Sequence, residues 1–140
     1  MDANLLLYSV DERGPFFAAA ATWLAAQMNG SSRVALPWQS LTAFLRIATH
    51  PRASPNPLSP NVAWNVVQTW LASDIVWVPV PTSHHAAILG DLVTRYQLSG
   101  AIIQDAHLAA LAIEHGLTVY SADTDFARFP EVRWENPIQP

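Results

Sequence analysis

The chain has 140 residues, no cysteine and a formal net charge of −4. This length is enough to bury a hydrophobic core, and we predict a single domain over residues 1–140. The absence of cysteine excludes disulfides, thiolate metal sites and thiol nucleophiles, and the acidic balance argues against a broad basic surface for nucleic acid. The apolar runs are too short to span a membrane and no secretory signal pattern is present, so we expect a cytoplasmic protein.

Two kinds of apolar segment alternate along the chain. One kind has apolar residues at three- and four-residue spacing, which is typical of amphipathic helices, and the other is short and rich in β-branched or aromatic residues, which is typical of strands. Helices are predicted after Asp2 and at 16–29, 38–49, 61–71, 82–98 and 106–115. Strands are predicted at 34–36, 75–78, 117–120 and 132–134, with a proline-rich loop at 50–60 and a turn at 126–130.

This alternation predicts the α/β class, as a three-layer α/β/α sandwich with a short parallel central sheet. In such a sheet the ligand site lies beyond the carboxyl ends of the strands. Asp123 directly follows the strand at 117–120, and Asp2 would hold an equivalent place if a strand preceded it. Either the first strand is shortened or the chain continues upstream of Met1, and the sequence leaves both alternatives open.

Carboxylates are concentrated in the stretch at 100–126, whereas residues 13–73 contain none. Asp105 stands at the start of a predicted helix, and Asp123 and Asp125 lie in the loop after the next strand. A βα fold brings such a loop close to a helix start, so these acids should converge, and converging carboxylates suit a divalent cation. The alternatives are structural: Asp105 would favour the helix dipole, and Asp123 and Asp125 would form a turn.

The other polar and aromatic candidates also have structural interpretations. Asp2 and Asn4 are suited to capping the first helix, because Asp and Asn are strong N-caps. Trp64 and Trp70 are candidates for an exposed apolar face used by a partner. Four histidines are interpreted as helix-surface or helix-start residues rather than ligands: His84, His85, His107 and His115.

Several short motifs occur in a distinctive order. They are DANLLLY at 2–8, DAHLA at 105–109 and SADTDF at 121–126, together with FLRI at 44–47, THPR at 49–52, FP at 129–130 and WENP at 134–137. In order and spacing they resemble the PIN-domain ribonucleases, and most closely the VapC toxins of bacterial toxin–antitoxin pairs. The resemblance extends over nearly the whole chain.

The resemblance implies an endoribonuclease that depends on Mg²⁺ or Mn²⁺ and carries its carboxylates in a groove. It also implies a homodimer and a cognate antitoxin that blocks the site. Asp2, Asp105 and Asp123 match the first, third and fourth acids of the family, and Asp125 is a second candidate for the last position. We expect one well-bound Mg²⁺, with Asp105 and Asp123 as its chief ligands, and RNA as the substrate.

The resemblance also suggests supporting groups and one departure. Asn4 and Ser121 are expected to support the acids, and Arg46 and Arg52 are candidates for contacts with RNA phosphates, although pairing with a carboxylate or full solvation remains an alternative for both. The second acid of the family should fall on the helix at 38–49, where this chain has Ala43. This position lacks the carboxylate that would complete the set.

Two other functions remain open. The missing acid motivates a catalytically weakened PIN-like module that binds antitoxin or RNA without efficient cleavage. A metal-dependent phosphatase or phosphotransferase is a third candidate, but Asp2-Ala3-Asn4 is one carboxylate short of a paired-aspartate motif. No glycine-rich phosphate loop is present, which argues against a nucleoside triphosphatase.

Overall fold

The computed structural model describes residues 1–139, and its helices lie close to the predicted positions. Side-chain N-caps begin two of these helices, at Asp2 and Ser59. The helices are α1 (Ala3–Val10), α2 (Phe17–Met28), α3 (Trp38–Ala48), α4 (Pro60–Leu71), α5 (His85–Arg95) and α6 (Ile102–His115). A 3₁₀-helix at Thr124–Arg128 replaces most of the turn predicted at 126–130.

The four strands are short and all pair in parallel. They are β1 (Val34–Ala35), β2 (Val76–Trp77), β3 (Thr118–Tyr120) and β4 (Arg133–Glu135). β1 pairs with β2, and β3 pairs with β4. The α/β class and the parallel pairing are therefore confirmed, but the described strands form two separate pairs. The amino end of the chain lies between these pairs, where Met1 N contacts the Ala35 carbonyl oxygen and Asp2 N donates to that of Tyr120.

Two hydrophobic clusters support the two pairs of strands. One joins α5, α6, β3 and the C-terminal segment, with Leu92, Phe126 and Phe129 among its fully buried side chains. The other joins α1, α2, α3 and α4. Alanine-rich α6 presents small buried side chains over most of its length, so neighbouring elements can approach it closely. The site described below lies where α1 and α6 meet the end of β3.

The structure confirms two predicted helix ends, the start of α4 and the end of α6. Ser59 caps α4 by accepting a hydrogen bond of 3.2 Å from Val62 N, and Pro60 occupies the first turn. Gly116 ends α6 in the left-handed region with φ 67°, which a residue without a Cβ adopts without strain. α6 begins at Ile102, four residues before the predicted start, so Asp105 lies inside its first turn.

The two tryptophans proposed for an exposed face differ in the structure. Trp64 is 42% exposed, whereas Trp70 is only 8% exposed and packs edge-on against Phe44 with 4.9 Å between ring centroids. The prediction was therefore wrong for Trp70, because α4 turns that residue into the core beside α3. Within residues 1–139, none of the helices has the length and apolar character needed to cross a membrane.

Candidate metal centre and active site

Three aspartates converge at the first turn of α6 and the loop after β3. One carboxylate oxygen from each of Asp105, Asp123 and Asp125 lies within 4.8 Å of the others. Asp105 comes from α6, Asp123 is the N-cap of the 3₁₀-helix, and Asp125 lies in the first turn of that helix. The predicted convergence of these carboxylates is therefore present, and their oxygen atoms are of the kind that hard divalent cations prefer.

Asp2 joins this site through a network with Asn4 and Ser121. Asp2 Oδ2 accepts hydrogen bonds from Ser121 Oγ at 2.7 Å and from Asn4 Nδ2 at 3.2 Å, while its Oδ1 accepts one from Ala3 N at 2.7 Å. Asn4 Oδ1 in turn accepts a hydrogen bond from Ala122 N at 3.2 Å. Three donors, Ala3 N, Asn4 Nδ2 and Ser121 Oγ, hold the Asp2 carboxylate in a single orientation.

Ser121 links this network to the loop that carries Asp123. Its hydroxyl, which is fully buried, also accepts a hydrogen bond from Asp123 N at 3.0 Å. Its backbone is fixed by β4, since Ser121 N donates to the Glu135 carbonyl oxygen and Trp134 Nε1 donates to the Ser121 carbonyl oxygen at 3.0 Å. Sequence reasoning missed the Trp134 contact, because no local pattern connects an indole to a loop thirteen residues earlier.

Asp2 and Asp123 also have the structural roles that were predicted for them, as a helix N-cap and as a turn residue. Asp2 is the N-cap of α1, and Asp123 Oδ1 accepts a hydrogen bond of 2.9 Å from Asp125 N at the start of the 3₁₀-helix. Both carboxylates make these contacts through Oδ1, so the second oxygen, Oδ2, of each lies outside the cap. Capping and ligation therefore are compatible roles, because a carboxylate has two oxygens and about four lone-pair directions.

The pKa of Asp105 reflects its burial and the repulsion among the clustered carboxylates. Burial first, and then the charges of Asp123, Asp2 and Asp125, raise the pKa of the Asp105 carboxyl to about 6. Within residues 1–139 none of the ion pairs involves these four aspartates. The negative charge is thus not neutralised by the protein itself, and a bound cation would favour the ionised form of Asp105.

The second acid of the family is expected on α3, where this chain has Ala43. α3 nevertheless contacts the first turn of α6. Gln39 is one turn before Ala43 on the same face of α3, and its Nε2 donates a hydrogen bond of 2.9 Å to the carbonyl oxygen of Gln104, the residue before Asp105. Gln39 Oε1 is buried without a hydrogen-bond partner among the described residues. An amide therefore stands beside the first turn of α6, and no signal in the sequence distinguished it from an ordinary helix residue.

The remaining candidates lie away from the cluster. Arg46 and Arg52 are exposed, the first on α3 and the second in the loop that follows it, and their role in RNA binding stays a prediction. His85 begins α5, as predicted. His107 and His115 lie on α6 with intermediate exposure; His107 Nδ1 is 2.9 Å from His85 Nε2, and His115 Nε2 is 2.8 Å from the Val80 carbonyl oxygen.

Comparison with known proteins identifies the fold and its family. The PIN domain family matches residues 1–132, nearly the whole chain. A crystal structure of VapBC2 from Rickettsia felis, bound to a DNA fragment from its promoter, superposes with a TM-score of 0.69 at 14% identity, covering 96% of this chain and 94% of that one. At this identity the likeness concerns the fold. The chain belongs to the PIN-domain family.

Two curated relatives show which branch of the family it resembles. Ribonuclease VapC37 of Mycobacterium tuberculosis is 39% identical over 137 residues, which is 98% of this chain and 95% of the relative. Ribonuclease VapC33 of the same organism is 35% identical over 138 residues, covering 99% of this chain and 96% of the relative. Within the PIN family its relatives are thus VapC-type proteins, as the motif resemblance predicted.

Proposed function

We propose that this protein is a metal-dependent endoribonuclease, the toxin of a VapBC-type toxin–antitoxin pair, and that it acts in the cytoplasm. The observation that carries the proposal is the convergence of Asp105, Asp123 and Asp125 beside the oriented carboxylate of Asp2. The names of its relatives support the reaction, since VapC37 and VapC33 are both described as ribonucleases.

The donor set fits a hard cation such as Mg²⁺ or Mn²⁺. Asp105, Asp123 and Asp125 would hold the ion, and Asp2 would hold a further ligand position or a water at its edge. When bound, such an ion polarises a phosphodiester and lowers the pKa of a coordinated water. Ser121, Asn4 and the first turn of α6 would hold the four carboxylates in fixed positions relative to one another.

The charge of the site determines how a substrate approaches. A phosphate would be repelled by several uncompensated carboxylates, and the repulsion between unit charges is strong at short range in a partly buried site. Asp2, Asp105 and Asp123 therefore bind RNA productively only when a cation offsets their charge. The exposed Arg46 and Arg52 are proposed to contact RNA phosphates further along the strand.

The proposed partners follow from the same family. The R. felis structure is described as VapBC2, a complex, bound to promoter DNA. By analogy we propose that this chain forms a homodimer and is inhibited by a cognate VapB-type antitoxin. The second candidate function, a weakened PIN-like module, is motivated by one observation: the face of α3 that reaches Gln104 has Ala43 and Gln39 but no carboxylate.

The test is cleavage of labelled RNA by the purified protein in Mg²⁺ or Mn²⁺, with and without a chelator. We expect cleavage that requires the metal and is lost in Asp105→Asn. The matched control is Asp74→Asn, which removes an exposed carboxylate without an ion pair among the described residues. Cleavage that persists in Asp105→Asn or in chelator would contradict the proposal, and binding of RNA or antitoxin without any cleavage would favour the second candidate.

A further inference from the structure

Two histidines meet where α5 packs against α6. His85 Nε2 lies 2.9 Å from His107 Nδ1, although 22 positions separate the two residues in the sequence. Their rings are nearly perpendicular, with 85° between the planes and 4.8 Å between the centroids, so the rings are not stacked. His107 follows Asp105 by two residues, which corresponds to a rotation of about 200° around the axis of α6. The histidine pair therefore lies on a different side of this helix from the aspartate cluster.

Glu114 fixes the orientation of His85. Its side chain is 0% exposed, and its Oε1 lies 3.1 Å from His85 Nδ1. The same carboxylate accepts hydrogen bonds from Thr82 N at 3.2 Å and from Thr82 Oγ1 at 3.3 Å. An ionised carboxylate only accepts hydrogen bonds, so His85 Nδ1 carries a proton. Nε2 of the neutral ring then directs its lone pair towards His107.

This arrangement is the one in which proteins hold transition metals. A histidine that binds a metal almost always donates its other ring N–H to a carboxylate, a backbone carbonyl or a water, which fixes the tautomer. Glu114 provides this carboxylate for His85. Two imidazole nitrogens bound to one tetrahedral ion, with bonds of about 2.0–2.1 Å, lie about 3.3 Å apart. The observed separation of 2.9 Å is only slightly shorter, and small rotations of the two side chains bring it to that value.

We propose that His85 and His107 form a second metal site, which binds Zn²⁺ through His85 Nε2 and His107 Nδ1 with Glu114 as the positioning carboxylate. Imidazole nitrogen suits zinc and its neighbours in the first transition row, whereas Mg²⁺ prefers oxygen ligands. On binding, His107 moves its proton from Nδ1 to Nε2, so both ligands stay neutral and no proton leaves the protein. Water fills the remaining positions of the ion.

The proposed ion would connect α5 to α6. His85 lies at the first residue of α5 and His107 in the first half of α6, so a single ion joins two helices that otherwise contact through apolar side chains. The side chain of His85 is 12% exposed and His107 is partly buried, which leaves the pair accessible to a small hydrated ion. Because only two ligands come from the chain, binding should be weaker than at a closed site with four protein ligands.

The first experiment needs no substitution. The full chain, without a histidine tag and in excess Mg²⁺, is titrated with Zn²⁺ while NMR follows the ring nitrogens of each histidine. We expect the largest shifts at His85 Nε2 and His107 Nδ1, and a Tm that rises with Zn²⁺ concentration. The ring nitrogens of His50 and His84, which are both exposed, should change little.

Variants then test the role of each side chain, with the fold of each checked by circular dichroism in chelator. Glu114→Gln should weaken Zn²⁺ binding at this pair about 10- to 100-fold, the usual effect of changing a group that orients a metal ligand. His107→Gln, which removes a ligand, should weaken it further. His84→Gln is the matched control, because it removes an exposed histidine next to His85. Asp105→Asn should leave Zn²⁺ binding at the pair unchanged.

Two outcomes would overturn the proposal. If Zn²⁺ shifts neither His85 Nε2 nor His107 Nδ1, the pair is a hydrogen bond and nothing more. If Zn²⁺ binding is lost in Asp105→Asn and kept in His107→Gln, the ion occupies the aspartate cluster instead. Neither readout involves RNA cleavage, so failure of this proposal is distinguishable from failure of the proposed nuclease function.

Discussion

The hydroxyl of Ser121 donates a hydrogen bond of 2.7 Å to Asp2 Oδ2, which joins two residues 119 positions apart in the sequence. The same oxygen of Ser121 accepts hydrogen bonds from Asn4 Nδ2 and Asp123 N, each at 3.0 Å. One buried hydroxyl thus connects the amino end of the chain to the loop after β3. It holds Asp2 beside the loop that carries Asp123.

Replacing this hydroxyl should misalign the site without removing a carboxylate. We predict that Ser121→Ala lowers RNA cleavage about 10- to 100-fold, which is the usual effect of losing a group that orients a metal ligand. Stability should fall by about 1–3 kcal/mol, since partners inside the site lose a buried hydrogen bond. Ser99→Ala, at an exposed position, is the control. Equal activity in both variants would show that Asp2 needs no support from Ser121.

Removing the charge of Asp105 should stabilise the metal-free protein. Asp105 is surrounded by the charges of Asp123, Asp2 and Asp125, and its own burial adds a desolvation cost. We predict that Asp105→Asn has a higher Tm than the wild type in chelator and a much smaller rise of Tm with Mn²⁺. Thermal unfolding with and without metal measures both. A wild type that shows no response to Mn²⁺ would contradict the assignment of a metal site.

The raised pKa of Asp105 predicts how stability depends on pH. Its pKa is raised from 3.8 to about 6 in the folded protein, so the folded state binds the proton more tightly than the unfolded state does. The contribution of Asp105 to the free energy of unfolding is therefore largest below about pH 3.8 and decreases as the pH rises to about 6. In metal-free protein, the difference between wild type and Asp105→Asn should grow over this interval and stay constant above it. A difference that is flat from pH 4 to 7 would contradict the raised pKa.

Restoring an acid on α3 tests the incomplete ligand set. Ala43 lies one turn after Gln39, whose side chain contacts Gln104 beside Asp105. We predict that Ala43→Glu lowers the Mg²⁺ concentration needed for half-maximal cleavage and also lowers the stability of the metal-free protein. Ala43→Gln is the matched control, because it has nearly the same size and no charge. If the two variants behave alike, position 43 does not contribute a ligand.

A second buried network is predicted to support stability and not catalysis. Glu114 has a side chain that is 0% exposed, and its Oε1 accepts a hydrogen bond from Thr82 N at 3.2 Å and lies 3.1 Å from His85 Nδ1. Glu114→Ala should reduce stability by about 2–4 kcal/mol, because these partners are left unpaired. Cleavage per folded molecule should not change. Glu12→Ala, at an exposed position, is the control, and equal urea midpoints would contradict the prediction.

Local signals in the sequence were sufficient for most elements. Ser59 with Pro60 marked the start of α4, and Gly116 marked the end of α6, because caps and left-handed residues act within a few positions. The start of α6 was missed by four residues, since residues 102–105 have no distinctive cap. Trp70 was misjudged because its burial depends on which neighbouring helix covers it, and periodicity does not report that.

The sequence by itself determined the α/β class, the family and the four acids, since these depend on periodicity and on short motifs read along the chain. Only the tertiary structure decided that Ser121 orients Asp2, that Gln39 reaches the carbonyl oxygen of Gln104, and that His85 meets His107. The physical reason is the separation in sequence between the residues that interact. A cap or a turn is fixed by its neighbours in sequence, whereas a hydrogen bond over 119 positions and a contact between two helices exist only once the chain has packed.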